Sequence, residues 1–413
     1  MSLDAVLQRV DGPIRRILDA VVGGAELSWE DAVVLDGANG PSLVALCLAA
    51  DHLRQEQVGD TVSYVVNRNI NFTNVCVKAC KFCAFSRKTR SEEGYFLDDE
   101  AVVERARQAW QVGATEVCVQ AGLAPWMRPD HYVRLIRAIK AELPELHIHA
   151  LSPEEVKYAA HLAERPIRDV LLELRDAGLG SLPGTSAEIL DDELRNRIAP
   201  GRISTAEWIE VVTTAHELGL PTSSTMMFGH AETSAHRARH LGLLRSLQRR
   251  TGGFTEFVPL SFVHDEAPLF ASEVDGVRPG PSGNEVIRLY AIARLMLGRD
   301  IVNLQASWVK EGLRTSQWLL SCGVNDLGGT LINESISTSA GARHGQLARP
   351  SDLRALIEEA GRVPAQRDTL YRLLPEVDAH PLDAVDDADG RFGSYDELVG
   401  DEQHRFRRPE RRA

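Results

Sequence analysis

Residues 61–85 read TVSYVVNRNINFTNVCVKACKFCAF and contain the two features that decide the fold of this chain. Residues 62–71 begin as a run of apolar and β-branched side chains, which predicts a β-strand. Three cysteines follow this strand at C-x3-C-x2-C spacing, namely Cys76, Cys80 and Cys83. The stretch therefore predicts a strand that leads into one short loop with three thiols.

The alternation of apolar runs with amphipathic helical segments continues downstream. Further candidate strands occupy residues 116–122, 146–151, 178–182, 221–228, 254–262, 301–306 and 323–328. Helix-start signals lie between them, such as Asp98 before residues 99–112 and the sequence Ser-Pro-Glu-Glu at 152–155. Such alternation predicts a parallel sheet with crossover helices. Eight strands over about 270 residues predict a TIM-type (β/α)8 barrel, closed or partial.

An open, doubly wound sheet is the alternative architecture. No G-x-G-x-x-G follows the first strand, which weakens a dinucleotide-binding version of it. Around the barrel core at 61–345 we expect an N-terminal helical preface at 1–60. A C-terminal helical segment at 346–374 and a flexible tail at 375–413 complete the predicted organisation.

Composition excludes several classes of protein. The chain has 413 residues, 44% of them hydrophobic, which is enough to bury a sizeable core and excludes a mainly disordered protein. Its formal net charge of -13 argues against nucleic acid as the main partner. It has no apolar run long enough to span a membrane and no secretory signal pattern at its start. We therefore expect a cytoplasmic protein that acts on small molecules.

The three clustered thiols differ from the other cysteines. A structural zinc site needs four ligands, and no fourth Cys or His lies near the cluster. Three thiolates can instead hold three irons of a 4Fe-4S cluster and leave the fourth iron open. Lys78 and Lys81 are expected to favour the thiolate form. Each of the remaining cysteines lies singly in an apolar run and is expected to be an inert buried thiol: Cys47, Cys118 and Cys322.

The cysteine spacing, with Phe82 before the last Cys, resembles the radical S-adenosylmethionine (SAM) superfamily. Later blocks resemble the subgroup that contains FO synthase and the futalosine enzymes of menaquinone synthesis, with FO synthase as the nearer branch. They are VQAGL (119–123), GSLPGTSAEIL (180–190), TMMFGHAE (225–232), EFVPL (256–260), QASWVK (305–310) and NDLGGTLINES (325–335).

This resemblance implies a reaction, its cofactors and its partners. One electron from the 4Fe-4S cluster cleaves SAM, and the resulting 5'-deoxyadenosyl radical acts on L-tyrosine. The 4-hydroxybenzyl fragment joins 5-amino-6-(D-ribitylamino)uracil, and 2-iminoacetate is released. The implied partners are the first FO synthase subunit and an electron donor such as ferredoxin or flavodoxin.

The resemblance also implies roles for individual residues. The cluster ligands would be Cys76, Cys80 and Cys83. Phe82, Gln120, Gly122, Glu188 and Met227 would contact SAM, and His230 and Glu232 would be catalytic. Gln305, Ser307, Asn325, Asp326 and Glu334 would bind substrate. One departure is visible: Gly-Gly is expected after Gln120, but the chain has Ala121-Gly122, which adds a methyl group where the backbone approaches SAM.

Other functions stay open at this level. Within the superfamily the alternatives are aminofutalosine synthase and the dehypoxanthine futalosine cyclase. An iron–sulfur protein that transfers electrons without catalysis is an alternative of another class, and it would have a fully ligated cluster. A zinc-binding structural module is a third possibility.

Overall fold

The structure, a computed structural model, describes residues 6, 9–10, 12–78, 80–272, 274–375, 385 and 388–406. From residue 12 to the first strand the structure has three helices: α1 (Gly12–Val22), α2 (Trp29–Leu35) and α3 (Pro41–Val58). Their buried faces include Leu18, Leu35 and Leu46, and α3 packs along helix α11 (Gly283–Leu297). The helical character expected for the first 60 residues is therefore present in the described part of that range.

The strands are short and parallel. They are β1 (Thr61–Val65), β2 (Asn67–Ile70), β3 (Glu116–Val119), β4 (His147–Ala150), β5 (Thr222–Phe228), β6 (Phe254–Ser261), β7 (Asp326–Gly329) and β8 (Val363–Gln366). The ladders are β2-β3-β4, β5-β6 and β7-β1-β8, all with parallel pairing. The predicted parallel α/β architecture is thus confirmed.

Isolated parallel bridges connect these ladders. His149 of β4 pairs with Ser181, and Leu182 pairs with Thr222 of β5. The segment that contains Ser181 and Leu182 therefore lies between β4 and β5 and joins each of them by a single bridge. Phe257 pairs with Leu304, Gln305 pairs with Asp326, and Arg68 pairs with Ile332. The candidate strands at 178–182 and 301–306 therefore exist only as bridges, and β8 is an additional strand that the sequence pattern does not indicate.

Helices connect the strands on the outside. They are α4 (Asp99–Gln111), α5 (His131–Glu142), α6 (Pro153–Ala163), α7 (Ile167–Ala177), α8 (Asp192–Ile198), α9 (Thr205–Glu217), α10 (Ser234–Thr251), α11, α12 (Trp308–Glu311), α13 (Leu313–Leu319), α14 (Ile336–Ser339) and α15 (Pro350–Glu359). The expected caps are present: Asp98 accepts from the Ala101 N–H, and Ser152 with Glu155 forms a capping box. None of the described helices has the length and hydropathy needed to cross a membrane.

The C-terminal region differs from the flexible tail predicted for 375–413. Residues 388–406 contain α16 (Ala388–Phe392) and α17 (Tyr395–Gly400). Phe392 of α16 lies under the Arg68 guanidinium of β2, and Tyr395 of α17 packs near Phe85 in the segment that follows β2. The Phe406 ring stacks on Trp126 at 5.6 Å, and the Phe96 N–H donates to the His404 carbonyl over 2.9 Å. The prediction missed this packing because it depends on isolated aromatic residues, which leave no helical periodicity in the sequence. Most of 376–387 and all of 407–413 lie outside the described residues.

Candidate active site

The cysteine segment, residues 76–83, lies just beyond the carboxyl end of β2. Backbone pairing fixes its start, because the Cys76 N–H donates to the Arg87 carbonyl over 3.0 Å and the Val77 N–H donates to Leu123 over 2.9 Å. Cys76, Cys80 and Cys83 are free thiols that line one cavity, here called the cysteine cavity. The strand–loop arrangement expected from the sequence therefore brings the three thiols to a common space.

The thiols share this space without converging on one point. Within the described residues, which omit Ala79, no three Cys, His, Asp or Glu side chains are arranged as a preassembled metal site. Burial raises the pKa of Cys80 to about 12 and also raises that of Cys76. The positive charge that opposes this shift at both thiols belongs to Arg202. The Lys78 N–H donates to the Cys76 Sγ over 3.4 Å and also opposes the rise in its pKa, while the Lys78 ammonium group is 3.0 Å from Glu154, and its expected contribution through charge stays a prediction.

The turn after β3 forms the opposite wall of the cysteine cavity. Gln120 donates from its side-chain amide to the Thr185 hydroxyl over 2.7 Å. Gly122 lies so close to the cysteine segment that a Cβ there would be 2.4 Å from the Val75 carbonyl oxygen. Glycine is therefore required at 122 by close packing of two backbones. Ala121 is accommodated, and its N–H donates to Glu155 over 3.0 Å.

Glu155 is the buried acid of this wall. Besides the Ala121 N–H, it accepts hydrogen bonds from the Ser152 N–H at 2.8 Å and from the Tyr132 hydroxyl at 3.3 Å. Burial raises the pKa of Glu155 to about 7 in spite of these donors. Its protonation state therefore changes near neutral pH at the edge of the cysteine cavity.

A network of buried charges closes the cavity. The Arg202 guanidinium donates to the Cys80 Sγ over 3.5 Å and lies 3.2 Å from Glu188 and 3.1 Å from Glu154. It also lies over the Phe82 ring, 5.5 Å from the centroid. Burial disfavours the charged form of Glu154, but Arg202 and the Ile203 N–H lower its pKa below the usual value. The wall of the cavity thus combines fixed charges of both signs.

Backbone strain marks the turn that contributes Glu188. Ser186 and Glu188 both line the cavity and both have left-handed backbone angles, with φ of 63° and 41°. For residues other than glycine this conformation costs about 1–2 kcal/mol per residue. Arg195 offsets the strain, since it donates to the Ser186 carbonyl over 3.0 Å and to Ile203 over 2.6 Å.

A second cavity adjoins the first and shares six lining residues with it: Cys83, Phe85, Thr185, Ser186, Glu188 and Ile336. The rest of its lining is mostly apolar and aromatic: Phe82, Ala84, Met227, Leu260, Phe262, Val263 and Ala340, with Thr225, Ser261 and Lys310 as polar members. Glu311 accepts a hydrogen bond from Ser261, and burial raises its pKa to about 7. Burial also lowers the pKa of Lys310. This adjoining cavity can hold an aromatic molecule and offers a few polar groups at its edge.

The five residues predicted to contact SAM all line these two cavities. Gln120 and Gly122 line the cysteine cavity, Phe82 and Met227 line the adjoining cavity, and Glu188 lines both. The structure thus brings these residues together around the thiols. Their contact with SAM stays a prediction.

His230 and Glu232, predicted to be catalytic, belong to a different environment. Glu232 accepts from the Gly229 and His230 N–H groups, each over 2.9 Å, and lies 2.6 Å from Arg237 and 3.2 Å from Arg278. The His230 imidazole is buried and donates to the Met227 carbonyl over 3.0 Å. Neither residue lines the two cavities. These contacts give the pair a structural role, and its catalytic role stays a prediction.

Asn325 and Asp326, predicted to bind substrate, lie at the start of β7. Because parallel strands begin at one edge of the sheet, this is the edge opposite to the cysteine segment. Asn325 accepts from Arg294 over 2.6 Å, and Asp326 is 2.6 Å from Arg367. These contacts already satisfy both side chains. The predicted contact with substrate is therefore not supported at these two positions.

The other predicted substrate residues, Gln305, Ser307 and Glu334, do not line the two cavities either. The Ser307 N–H donates to the Tyr290 hydroxyl over 3.2 Å, and the Gln305 side chain packs against Gly328. Glu334 accepts from the Ser337 and Thr338 N–H groups. Local contacts therefore occupy the carboxylate of Glu334, and substrate contact at all three positions stays a prediction.

Sequence reasoning missed several residues that line the cavities, namely Arg202, Glu154, Glu155, Thr185 and Lys310. The two glutamates were visible only as part of a helix-capping signal, which does not indicate that they face a cavity. Arg202 lies in an irregular loop after α8, where no spacing rule applies. The QASWVK block contains Lys310, but no pattern singled it out.

Comparison with protein families divides the chain into two matching regions. Residues 70–244 match the Radical SAM superfamily, and residues 251–380 match the CofH/MqnC C-terminal region. The chain is 48% identical over 351 residues to a 5-amino-6-(D-ribitylamino)uracil–L-tyrosine 4-hydroxyphenyl transferase of Methanothermobacter thermautotrophicus, covering 85% of this chain and 95% of that protein. The corresponding protein of Methanopyrus kandleri is 47% identical, with 85% and 94% coverage.

Longer relatives and solved structures complete the comparison. An FO synthase of Mycobacterium tuberculosis is 48% identical over 342 residues, covering 83% of this chain, but the match spans only 40% of that protein. Methylornithine synthase (PylB) has a TM-score of 0.66 at 20% identity, over 84% of this chain and 97% of that one. The hydrogenase maturase HydG of Carboxydothermus hydrogenoformans has a TM-score of 0.68 at 16% identity, over 90% and 83%. At these identities, each of the two structures shows only that it shares its fold with this chain.

Proposed function

Because this chain belongs to the radical SAM superfamily and, within it, to the family of 5-amino-6-(D-ribitylamino)uracil–L-tyrosine 4-hydroxyphenyl transferases, we propose that it catalyses this transfer. The enzyme joins the 4-hydroxybenzyl fragment of L-tyrosine to the diaminouracil and releases 2-iminoacetate, a step in the synthesis of deazaflavin coenzymes. The observation that carries the proposal is the 48% identity to the Methanothermobacter protein over nearly its whole length.

The proposed cofactors are one 4Fe-4S cluster and SAM. Cys76, Cys80 and Cys83 would hold three irons, and SAM would bind the fourth. Two observations support this fit: the three thiols line one cavity, and among the described residues that line it there is no fourth Cys and no His. When bound, this pair supplies a carbon-centred radical that abstracts a hydrogen atom from the substrate.

The proposed protein contributions are binding, orientation and exclusion of water. Gln120, Gly122 and Glu188 would face SAM, since they line the cysteine cavity opposite the thiols. Phe82 and Met227 line the adjoining cavity beside them. That cavity would take the substrates, because its aromatic lining suits a phenol ring and a flat uracil.

Polar groups at the adjoining cavity would orient the substrates. Lys310 and Ser261 line it, and Glu311 accepts from the Ser261 hydroxyl. Glu311 has a pKa of about 7 because of burial. It would therefore be able to exchange a proton through Ser261 near neutral pH.

The proposed architecture is the TIM-type (β/α)8 barrel. Support comes from the parallel pairings, which proceed from β2 through β3, β4, β5 and β6 to β7. They then return to the start, because β7 pairs with β1 and Ile332, just after β7, pairs with Arg68 in β2. The similarity to methylornithine synthase agrees with this architecture. The chemistry would then lie at the carboxyl ends of the strands.

The proposed partners are the first FO synthase subunit and an electron donor such as ferredoxin or flavodoxin. Support for the first comes from the FO synthase relatives, since this chain matches about two fifths of their length. The proposed location is a reducing cytoplasm, because all six cysteines are free thiols.

The test is an anaerobic assay with reconstituted protein, SAM, dithionite, tyrosine and the diaminouracil. We expect 5'-deoxyadenosine to form only when tyrosine is present, and to be accompanied by the coupled product. Replacing any one of Cys76, Cys80 and Cys83 with alanine should abolish both iron binding and activity, whereas Cys47→Ala should retain both. Formation of 5'-deoxyadenosine with futalosine-pathway substrates instead of tyrosine would overturn the assignment.

A further inference from the structure

The cysteine segment and the residues just after it form a basic stretch in an acidic protein. Residues 76–91 contain five basic side chains and no Asp or Glu, whereas the chain has a formal net charge of -13. The basic residues are Lys78, Lys81, Arg87, Lys88 and Arg90. This local reversal of charge lies beside the thiols.

The thiols face outward as well as inward. Cys76, Cys80 and Cys83 also line a large open depression on the outer side of the cysteine segment, here called the outer groove. A cofactor held by these thiols would therefore lie between the cysteine cavity and the outer groove. The outer groove therefore offers an approach to that cofactor from solvent.

The charges along the outer groove are not all neutralised. Arg87 pairs with Glu93 at 2.6 Å, and Lys78 pairs with Glu154. In the described part of the chain no ion pair involves Lys81, Lys88 or Arg90, and Lys81 and Lys88 line the groove. Glu266 and Asp396 lie on other parts of its wall.

Exposed apolar side chains lie beside the same charges. Val77, within the cysteine segment, is 49% exposed, and Phe270 is 46% exposed. The two chain segments are joined, since the Leu269 N–H donates to the Lys81 carbonyl over 2.6 Å. An exposed apolar centre with a charged rim is typical of a transient protein interface.

We propose that the outer groove is the docking surface for an acidic one-electron carrier protein of the flavodoxin class. The inference rests on the proposed function, which needs one electron delivered to the cluster for each cleavage of SAM. In this step the carrier's flavin hydroquinone is oxidised to the semiquinone and the cluster gains the electron, with no atom transferred. An acidic carrier is repelled by most of this acidic chain and attracted at the basic stretch, which orients the encounter.

The test measures docking and electron transfer with the reconstituted holoprotein, without tyrosine or diaminouracil. Binding of an acidic flavodoxin is measured by calorimetry, and reduction of the cluster by its hydroquinone is followed by anaerobic stopped-flow absorbance. The variant is Lys88→Glu/Arg90→Glu. Its matched control is Arg16→Glu/Arg250→Glu, which has the same net charge but changes two exposed arginines elsewhere. Dithionite is the small reductant that needs no docking.

We expect the Lys88→Glu/Arg90→Glu variant to lose about tenfold or more in the flavodoxin rate constant at low ionic strength, with a matching loss of affinity. Its reduction by dithionite should equal that of the wild type, and the control should retain the flavodoxin rate. In the wild type, added salt should slow the flavodoxin reaction.

Three results would overturn the proposal: an unchanged flavodoxin rate in the variant, an equal loss in the control, or a parallel loss with dithionite. An error in the substrate assignment would leave all these measurements unaffected. Phe270→Ser gives a second approach without a charge change, and it should weaken flavodoxin binding while dithionite reduction stays normal.

Discussion

The Arg202 guanidinium donates a hydrogen bond to the Sγ of Cys80 over 3.5 Å. The same nitrogen is 3.2 Å from Glu188, which lines both cavities. A positively charged donor on a ligand sulfur stabilises negative charge on a cluster, so with the proposed ligation by Cys80 this contact would connect the acidic wall of the site to the electronic properties of the cluster.

Replacing Arg202 with methionine should make the midpoint potential of the reconstituted cluster more negative, because both the charge and the donor are lost. Arg202→Lys keeps the charge and should shift the potential less. The methionine variant should also lose about 3 kcal/mol of stability, since Glu188 and Glu154 lose a buried partner. Redox titration followed by electron paramagnetic resonance and urea unfolding measure the two effects. An unchanged potential in Arg202→Met would contradict this role.

Gly122→Ala should disrupt the turn opposite the cysteines. The added Cβ would be 2.4 Å from the Val75 carbonyl oxygen, which is a backbone atom and cannot move aside as the end of a flexible side chain could. We expect a loss of about 2 kcal/mol in the free energy of unfolding and a weaker affinity for SAM. Ala121→Gly is the matched control and should change stability by less than about 1 kcal/mol. Equal behaviour of the two variants in urea unfolding would refute the packing argument.

Glu232→Gln distinguishes a structural role from a catalytic one. The carboxylate faces Arg237 at 2.6 Å, and its replacement removes one of three carboxylates around that cation, since Asp36 and Glu285 stay at 2.7 and 2.8 Å. We expect a loss of about 1–3 kcal/mol in stability. Loss of a general acid or base would lower kcat by about 10²–10⁴-fold. Because we assign Glu232 a structural role, the folded variant should lose much less kcat than this when it is assayed well below its melting temperature. A loss of kcat in that range with normal stability would restore the catalytic assignment.

His240 should make stability depend on pH. Its Nδ1 accepts from the Leu190 N–H and its Nε2 donates to the Thr225 carbonyl, each over 3.0 Å, and burial lowers its pKa to about 3. The unfolded chain binds a proton near pH 6.5 whereas the folded chain does not. The contribution of His240 to the free energy of unfolding is therefore at its maximum above pH 6.5, and it falls by about 1.4 kcal/mol for each pH unit below that value.

The measurement for His240 is urea unfolding of wild type and His240→Gln at several pH values between 7.5 and 5. The variant lacks the titrating group, so the stability difference between the two proteins should narrow as the pH falls. A difference that is constant with pH would show that the imidazole is not kept neutral in the fold.

Removing residues 388–413 should expose the cysteine segment without unfolding the sheet. Tyr395 packs near Phe85 with ring centroids 5.9 Å apart, and the Phe406 N–H donates to the Gly94 carbonyl over 2.7 Å. We expect faster loss of the cluster's visible absorbance in air and only a small change in melting temperature. Phe406→Ala removes the ring stacking on Trp126 and should lower the free energy of unfolding by about 1 kcal/mol. Its rate of cluster loss should lie between those of the full chain and the truncated chain. A rate of cluster loss equal to that of the full chain would contradict the protective role.

The sequence by itself determined the features whose signals are local. The spacing of Cys76, Cys80 and Cys83 placed three thiols on one loop, and the alternation of apolar runs with helical segments predicted parallel strands joined by helices. The capping box at Ser152 was also visible, because it depends on residues three positions apart. Each of these signals depends on neighbours in the chain, which a single sequence displays directly.

Only the tertiary structure decided which side chains face the thiols. Arg202 and Glu155 come from separate connections after different strands, and no spacing rule relates them to Cys80. Asn325 and Asp326 looked suitable for a substrate because they are polar and lie near a strand end. They lie at the amino end of β7, whereas the cysteines follow the carboxyl end of β2. Which end a residue occupies, and what lies across the cavity from it, depends on how the parallel strands pair, and local sequence does not specify this.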